Sequence, residues 1–284
     1  MLYTLFLLWL LGLKAPVVVQ QGNPVAVQVT TTDRGVQVRS ARFMGQPVPL
    51  VWYRGQRYAL VPVAVDAKPG SYPLLLELPY GQDSVVVEVV AAGFRVRHLY
   101  PKYPLKKPTV PPLPLPPDTN KPFLRARLND WQAALPNEVE GFTLPIDSRH
   151  LQRFSGLFGD KRYWTRQQYH ERRPKRHYGL DFVADTGTAV RAIGSGVVRW
   201  ADDAWLRDDG VTVVVFHTPA IRSVYQHLAR VCVVTGDTVR RGQVLGYIGN
   251  TGSNSKGPHL DIKVKVVNVY VHPLRFIEAF PPSP

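Results

Sequence analysis

Residues 101–122, PKYPLKKPTVPPLPLPPDTNKP, carry nine prolines. Proline fixes φ and removes a backbone donor, so a helix interior or a central strand cannot be built from this stretch. Its expected form is an extended, semi-rigid spacer. The chain is therefore expected to fold in two parts, 17–97 and 141–284, with 98–122 as the linker between them. Two domains suit a length of 284 residues, and an apolar fraction of 45% is ample for their cores.

The first part reads as short β-branched strands: VAVQVTT, GVQVRSARF, YALVPVAV, YPLLLEL and DSVVVEVV. Asp33-Arg34-Gly35, Lys68-Pro69-Gly70 and Gly81-Gln82-Asp83 supply turns between them. This spacing predicts an Ig-like β-sandwich without a catalytic constellation. After the linker, Leu124, Leu128, Trp131 and Leu135 recur at helical spacing, which predicts one amphipathic helix within 123–140. From 141 onward the pattern is strand-rich and glycine-punctuated, with no long helical period. The overall expectation is a mainly β chain whose second domain is a compact antiparallel structure.

The N-terminus and the charge limit where such a chain works. LYTLFLLWLLGL, residues 2–13, has the length of a signal-peptide core and is short for a bilayer span. Residues 1–16 are thus expected to be a signal peptide or an N-terminal anchor, placing the protein in the periplasm or cell envelope. The formal net charge of +14 calls for anionic partners. Export argues against nucleic acid and for anionic cell-wall polymers. A single cysteine, Cys232, excludes an intrachain disulfide; its setting in RVCVV predicts a small buried hydrophobe.

Three segments carry chemistry-bearing residues. HYGLD places His177 and Asp181 four apart around Gly179, where a bend could bring two good zinc ligands together. YQHL places Tyr225 and His227 on one face of a predicted strand. KGPHLDIKV places His259, Asp261 and Lys263 on one face of another. Alone, His259 and Asp261 could hold a metal, move protons or form a solvated edge. Upstream, KRYWTRQQYHERRPKRH is a basic, aromatic-rich stretch that suits an anionic ligand or a solvated loop.

Taken in order, these segments resemble the lysostaphin-type, LytM-like family of zinc metallopeptidases. HYGLDFVADTGTAVRAIGSGVV is similar to its H-x-G-x-D-F segment and the G-T-x-V-x-A and G-x-V runs that follow. VYQHL resembles its Y-x-H-L, and VVTGDTVRRGQVLGYIGNTG its glycine-rich loop run. GPHL leads to the family's H-x-H, HPLRF resembles its closing D-P-L, and RFSGLFGDKR its S-x-F-G-x-R segment. The resemblance covers about half of the chain. It implies one zinc ion held by His177 and Asp181, with His227 and His259 as catalytic histidines that handle water, protons and the oxyanion. It implies peptidoglycan peptides as substrate, with other cell-wall hydrolases as possible partners.

The third zinc ligand of that pattern is the second His of H-x-H, and here the position is Asp261. Lys263 stands where a Glu is usual. Two readings stand side by side. Asp261 is the third metal ligand, because a carboxylate oxygen binds zinc at a similar distance. Alternatively, Lys263 pairs with Asp261 and draws it off the metal. The first reading gives a cell-wall zinc metalloendopeptidase. The second gives a catalytically degenerate relative that binds peptidoglycan or regulates another hydrolase.

Overall fold

The structure, a computed structural model, describes residues 15–29, 37–99, 135–166, 169–170, 174–206, 209–253 and 255–282. The apolar run 2–13, residues 100–122 of the expected linker and the helical stripe through Trp131 lie outside them. Among the described residues, no helix is long and apolar enough to cross a membrane.

Up to residue 99 the described strands are β1 (Val17–Gln20), β2 (Pro24–Gln28), β3 (Ser40–Phe43), β4 (Gln46–Val48), β5 (Leu50–Tyr53), β6 (Gln56–Pro62), β7 (Gly70–Leu78), β8 (Gly81–Val90) and β9 (Val96–Leu99). The first eight form a five-stranded sheet, β1-β8-β7-β3-β4, and a three-stranded sheet, β2-β6-β5. Alternation builds the core between them. In β8, Val85, Val87 and Val89 are buried while the residues between them are not. They meet Val25 and Val27 of β2 and Ala59 and Val61 of β6 in one cluster.

Beyond residue 135 come β10 (Arg153–Phe154), β11 (Lys161–Arg166), β12 (Tyr169–His170), β13 (Lys175–Arg176), β14 (Leu180–Val183), β15 (Ala189–Arg191), β16 (Gly196–Leu206) and β17 (Gly210–Phe216). They are followed by β18 (Ile221–Val231), β19 (Thr238–Val239), β20 (Val244–Ile248), β21 (Leu260–Val266), β22 (Val269–Val271) and helix α1 (Pro273–Ala279). The main sheet runs β10-β14-β21-β18-β17-β16-β19, with β15, β20 and β22 joined at its sides. Its pairings are antiparallel, as the sequence predicts. Helix α1 starts with a proline, which costs nothing where the first N–H has no intrahelical partner. It buries Phe276, Ile277 and Ala279.

Three local expectations are corrected. Residues 135–140, the end of the expected helix, run without helix, and Glu138 bridges to Trp52 of β5. Residues 98–99, the start of the expected linker, belong to β9, which pairs in parallel with β11. Cys232 is exposed. It lies just past the end of β18, where Val233 turns inward at 5% exposure and leaves its neighbour outside.

The two parts also share a core. Val51, Tyr53, Tyr58 and Leu60 pack in the same cluster as Phe142, Phe276 and Phe280. Tyr53 sits edge-on to Phe280 at 5.3 Å between ring centres and donates its hydroxyl to the Pro281 carbonyl.

Candidate metal centre and its groove

The centre is assembled on two neighbouring strands. β14 and β21 pair so that Asp181 lies directly opposite Asp261. Like charges opposite one another destabilise a sheet unless something cationic joins them. Three groups do so. His177 Nε2 lies 3.1 Å from Asp181 Oδ1 and 3.5 Å from Asp261 Oδ2. Arg162 Nη2 lies 3.2 Å from Asp181 Oδ2, and Lys263 Nζ lies 3.4 Å from Asp261 Oδ2. Lys263 also donates to Gln226 Oε1, which β18 brings beside Asp261.

Two glycines make the space. A β-carbon on Gly179 would overlap the Asp261 carboxylate, and one on Gly156 would overlap Asp181 Oδ2 and the Arg162 guanidinium. Neither position has positive φ, so glycine is needed for close approach and not for backbone freedom. This is how the H-x-G spacing works: the strand passes the facing carboxylate with no side chain in the way.

Burial sets the electrostatics. His177, Asp181 and Asp261 are all buried. Burial alone would lower the pKa of His177, but Asp181 and Asp261 outweigh it and raise it to about 9. Burial would raise Asp261, but Lys263 and His177 hold it well below the usual carboxylate range. Burial would lower Lys263, but Asp261 and Asp209 keep it raised and charged.

The donor set fits a metal ion. The three side chains offer one ligand atom each within 4.8 Å of one another. His177 Nε2, Asp181 Oδ1 and Asp261 Oδ1 are buried without a directed hydrogen bond. Two ligands of a tetrahedral zinc stand about 3.3 Å apart at ordinary bond lengths, close to the 3.1 and 3.5 Å found from His177 Nε2. The other ring nitrogen, Nδ1, donates to the Leu157 carbonyl at 3.1 Å, so Nε2 is the atom that would face a metal, giving up its proton when the ion binds.

The two further histidines stand in the same groove. Their rings lie 4.8 Å apart. His227 Nδ1 lies 2.8 Å from the Thr251 carbonyl and His259 Nδ1 lies 2.8 Å from the Gly257 carbonyl. Each ring thus donates from Nδ1 and keeps Nε2 for other work. Burial, reinforced by His259, lowers the pKa of His227.

Tyr225 is not in the groove, contrary to the expectation that it shares a face with His227. It is fully buried, accepts the Ile193 N–H at 2.9 Å and meets Ser223 Oγ at 2.9 Å. The cause lies at His227, whose φ is +65°. There β18 stops pairing with β21 and begins pairing with β20. The register irregularity breaks the two-residue alternation and turns His227 into the groove.

Sequence reasoning missed the arginines that complete the rim. Arg153 of β10 and Arg97 of β9 line the groove beside Arg162 and Arg176 from the basic stretch. Six Lys or Arg and three Asp line the groove, so its mouth is cationic before any ion binds.

The second part of the chain is similar to known proteins. Residues 175–273 match the model of peptidase family M23. The peptidoglycan DD-endopeptidase ShyC of Vibrio cholerae is 36% identical over 99 residues, 35% of this chain and 22% of that protein. Lysostaphin of Staphylococcus simulans is 35% identical over 96 residues, 33% of this chain and 19% of that protein. The chain thus spans about a fifth of the length of these curated relatives. A solved structure from Pseudomonas aeruginosa, named for peptidase M23, has a TM-score of 0.57 at 24% identity. It covers 93% of this chain and 96% of that one, a likeness in fold that extends over both parts.

Proposed function

We propose that the M23-type domain of this chain is a zinc metalloendopeptidase that hydrolyses peptide bonds in peptidoglycan. The observation that supports this most is the cluster of three buried ligand groups, His177, Asp181 and Asp261, whose ligand atoms gather within 4.8 Å. These residues would hold the ion. When bound, zinc polarises the scissile carbonyl and acidifies a water molecule. Two anionic ligands would weaken that effect, but Lys263 and Arg162 each offset one carboxylate.

The chain's own groups do the rest. His227, kept neutral by burial, offers Nε2 to accept a proton from the attacking water. His259, fixed through Nδ1, presents its other nitrogen to the developing oxyanion or the leaving amine. The cationic rim draws in acidic stem peptides and other anionic wall polymers. Relatives named for peptidoglycan cleavage support work in the cell envelope.

Full-length protein purified without chelator and supplied with zinc should hold one zinc per chain by elemental analysis. It should release soluble peptides from peptidoglycan. Asp261→Ala should abolish both, and Asp261→His should hold zinc at least as tightly as wild type. Substoichiometric zinc together with no release from wild type would sink the proposal. The Lys263–Asp261 pair is the one feature that favours a second reading, a non-catalytic wall-peptide binder. Zinc content separates the two.

A further inference from the structure

The loop Ser155–Asp160 holds both halves of the β14 side of the metal centre. Gly159 N–H donates to the His177 carbonyl at 2.7 Å, and His177 N–H donates to the Asp160 carbonyl at 3.0 Å. Leu157 O takes the His177 ring proton at 3.1 Å. Asp181 N–H donates to the Gly156 carbonyl at 2.9 Å, and Ser155 N–H to the Asp181 carbonyl at 3.1 Å. Whatever fixes this loop fixes where His177 and Asp181 stand.

What fixes it comes from the other part of the chain. Arg95 forks onto Asp160, with Nε 3.0 Å from Oδ1 and Nη2 2.8 Å from Oδ2. Asp160 is 1% exposed, and its Oδ2 also accepts the Leu157 N–H at 3.1 Å, closing the turn whose carbonyl orients His177. Lys161 N–H donates to the Arg95 carbonyl at 2.8 Å, and β9 then continues in parallel beside β11. Arg97 Nη1 reaches the Ser155 carbonyl at 2.9 Å. A β-carbon on Gly159 would strike the Phe94 ring, so that ring lies flush against the turn. Three of the four positions 94 to 97, Phe94, Arg95 and Arg97, thus contact the loop.

We propose that Arg95, through Asp160 and the Leu157 carbonyl, is a positioning residue for the His177 metal ligand, so that the metal centre is completed by a segment preceding the proline-rich stretch. A forked guanidinium–carboxylate pair fixes both distance and plane, which a lone charge cannot. Groups of this kind behind a metal ligand are worth about 10- to 100-fold in metal affinity. The inference rests on the metal-site reading given above.

The test uses the full chain and measures zinc affinity by chelator competition, with the visible spectrum of the cobalt-substituted protein as a second readout. Arg95→Ala should lose about tenfold or more in zinc affinity and change the cobalt spectrum, with far-ultraviolet circular dichroism unchanged. Arg95→Lys, which keeps the charge and loses the fork, should fall between Arg95→Ala and wild type. It decides the matter if Arg95→Ala fails to fold. Arg149→Ala, which removes an exposed pair with Asp147, should match wild type. If wild type binds zinc and both Arg95 variants bind it equally well with an unchanged cobalt spectrum, this inference falls and the metal site stands. If wild type binds no zinc, both fall.

Discussion

Gly179 matters because of what it lacks. Its α-carbon passes so near Asp261 that a β-carbon there would overlap the carboxylate oxygen and lie 3.1 Å from the Ile262 carbonyl. Gly179→Ala should therefore leave the sheet intact and push Asp261 aside. The expected outcome is a loss of about tenfold or more in zinc affinity, read by chelator competition. His217 offers a second prediction, about stability. Its Nδ1 donates to the Ser195 carbonyl at 2.9 Å, and its Nε2 lies 2.8 Å from Ser223 Oγ. Burial lowers its pKa to about 4. An unfolded histidine takes its proton near 6.5, so the folded state is favoured in full above that pH. The contribution then fades as pH falls from 6.5 toward 4, by roughly 3 kcal/mol in all. Thermal midpoints measured across that window should drop, and His217→Gln should flatten the dependence by about one proton. That His177, Asp181, His227, His259 and Asp261 would share one groove was legible in their types and order along the chain. The state of Asp261 was not, because the reach of Lys263 depends on how β21 registers with β18. The structure brings both halves of the alternative together: Lys263 pairs with Asp261, and Asp261 keeps its place beside His177.

At the scale of elements, β18 separates what alternation can and cannot foresee. Its apolar pattern marks a strand plainly, and Ile221, Ser223 and Tyr225 all turn inward at 0% exposure. The irregularity at His227 has no marker in the letters YQHL, because it arises where the strand changes neighbours. Tyr225 and Ser223 then join a buried chain that ends on His217. Ile193 N–H donates to the Tyr225 hydroxyl oxygen, Ser223 Oγ donates to the same oxygen, and His217 Nε2 lies beside Ser223 Oγ. Tyr225→Phe breaks this chain and strands the Ile193 N–H. Its expected cost is about 1–3 kcal/mol in denaturant unfolding, with zinc stoichiometry retained. A folded variant that had lost its zinc would return Tyr225 to the site. The turn 157–160 was illegible for a related reason: Asp160 finds its partner 65 residues earlier, and no local pattern signals that.

At the scale of the molecule, the parts on either side of the proline-rich stretch do not fold apart. Tyr53 is 1% exposed between Tyr58 and Phe280, and its hydroxyl is taken by Pro281. Tyr53→Ala should cost about 3–5 kcal/mol and lower the midpoint of one shared unfolding transition. Two separate transitions, only one of them shifted, would contradict the common core. β9, which ends at Leu99, lies beside β11, and Asn137 and Val139 bond to Trp52. Residues on each side of the proline-rich stretch are thus fastened to the opposite part. A single protease cut within the proline-rich stretch 101–122 should leave these contacts in place. The chain is in this sense divisible into two polypeptides that should find each other. Cleaved once within 101–122, the two pieces are expected to elute together as a single zinc-binding particle.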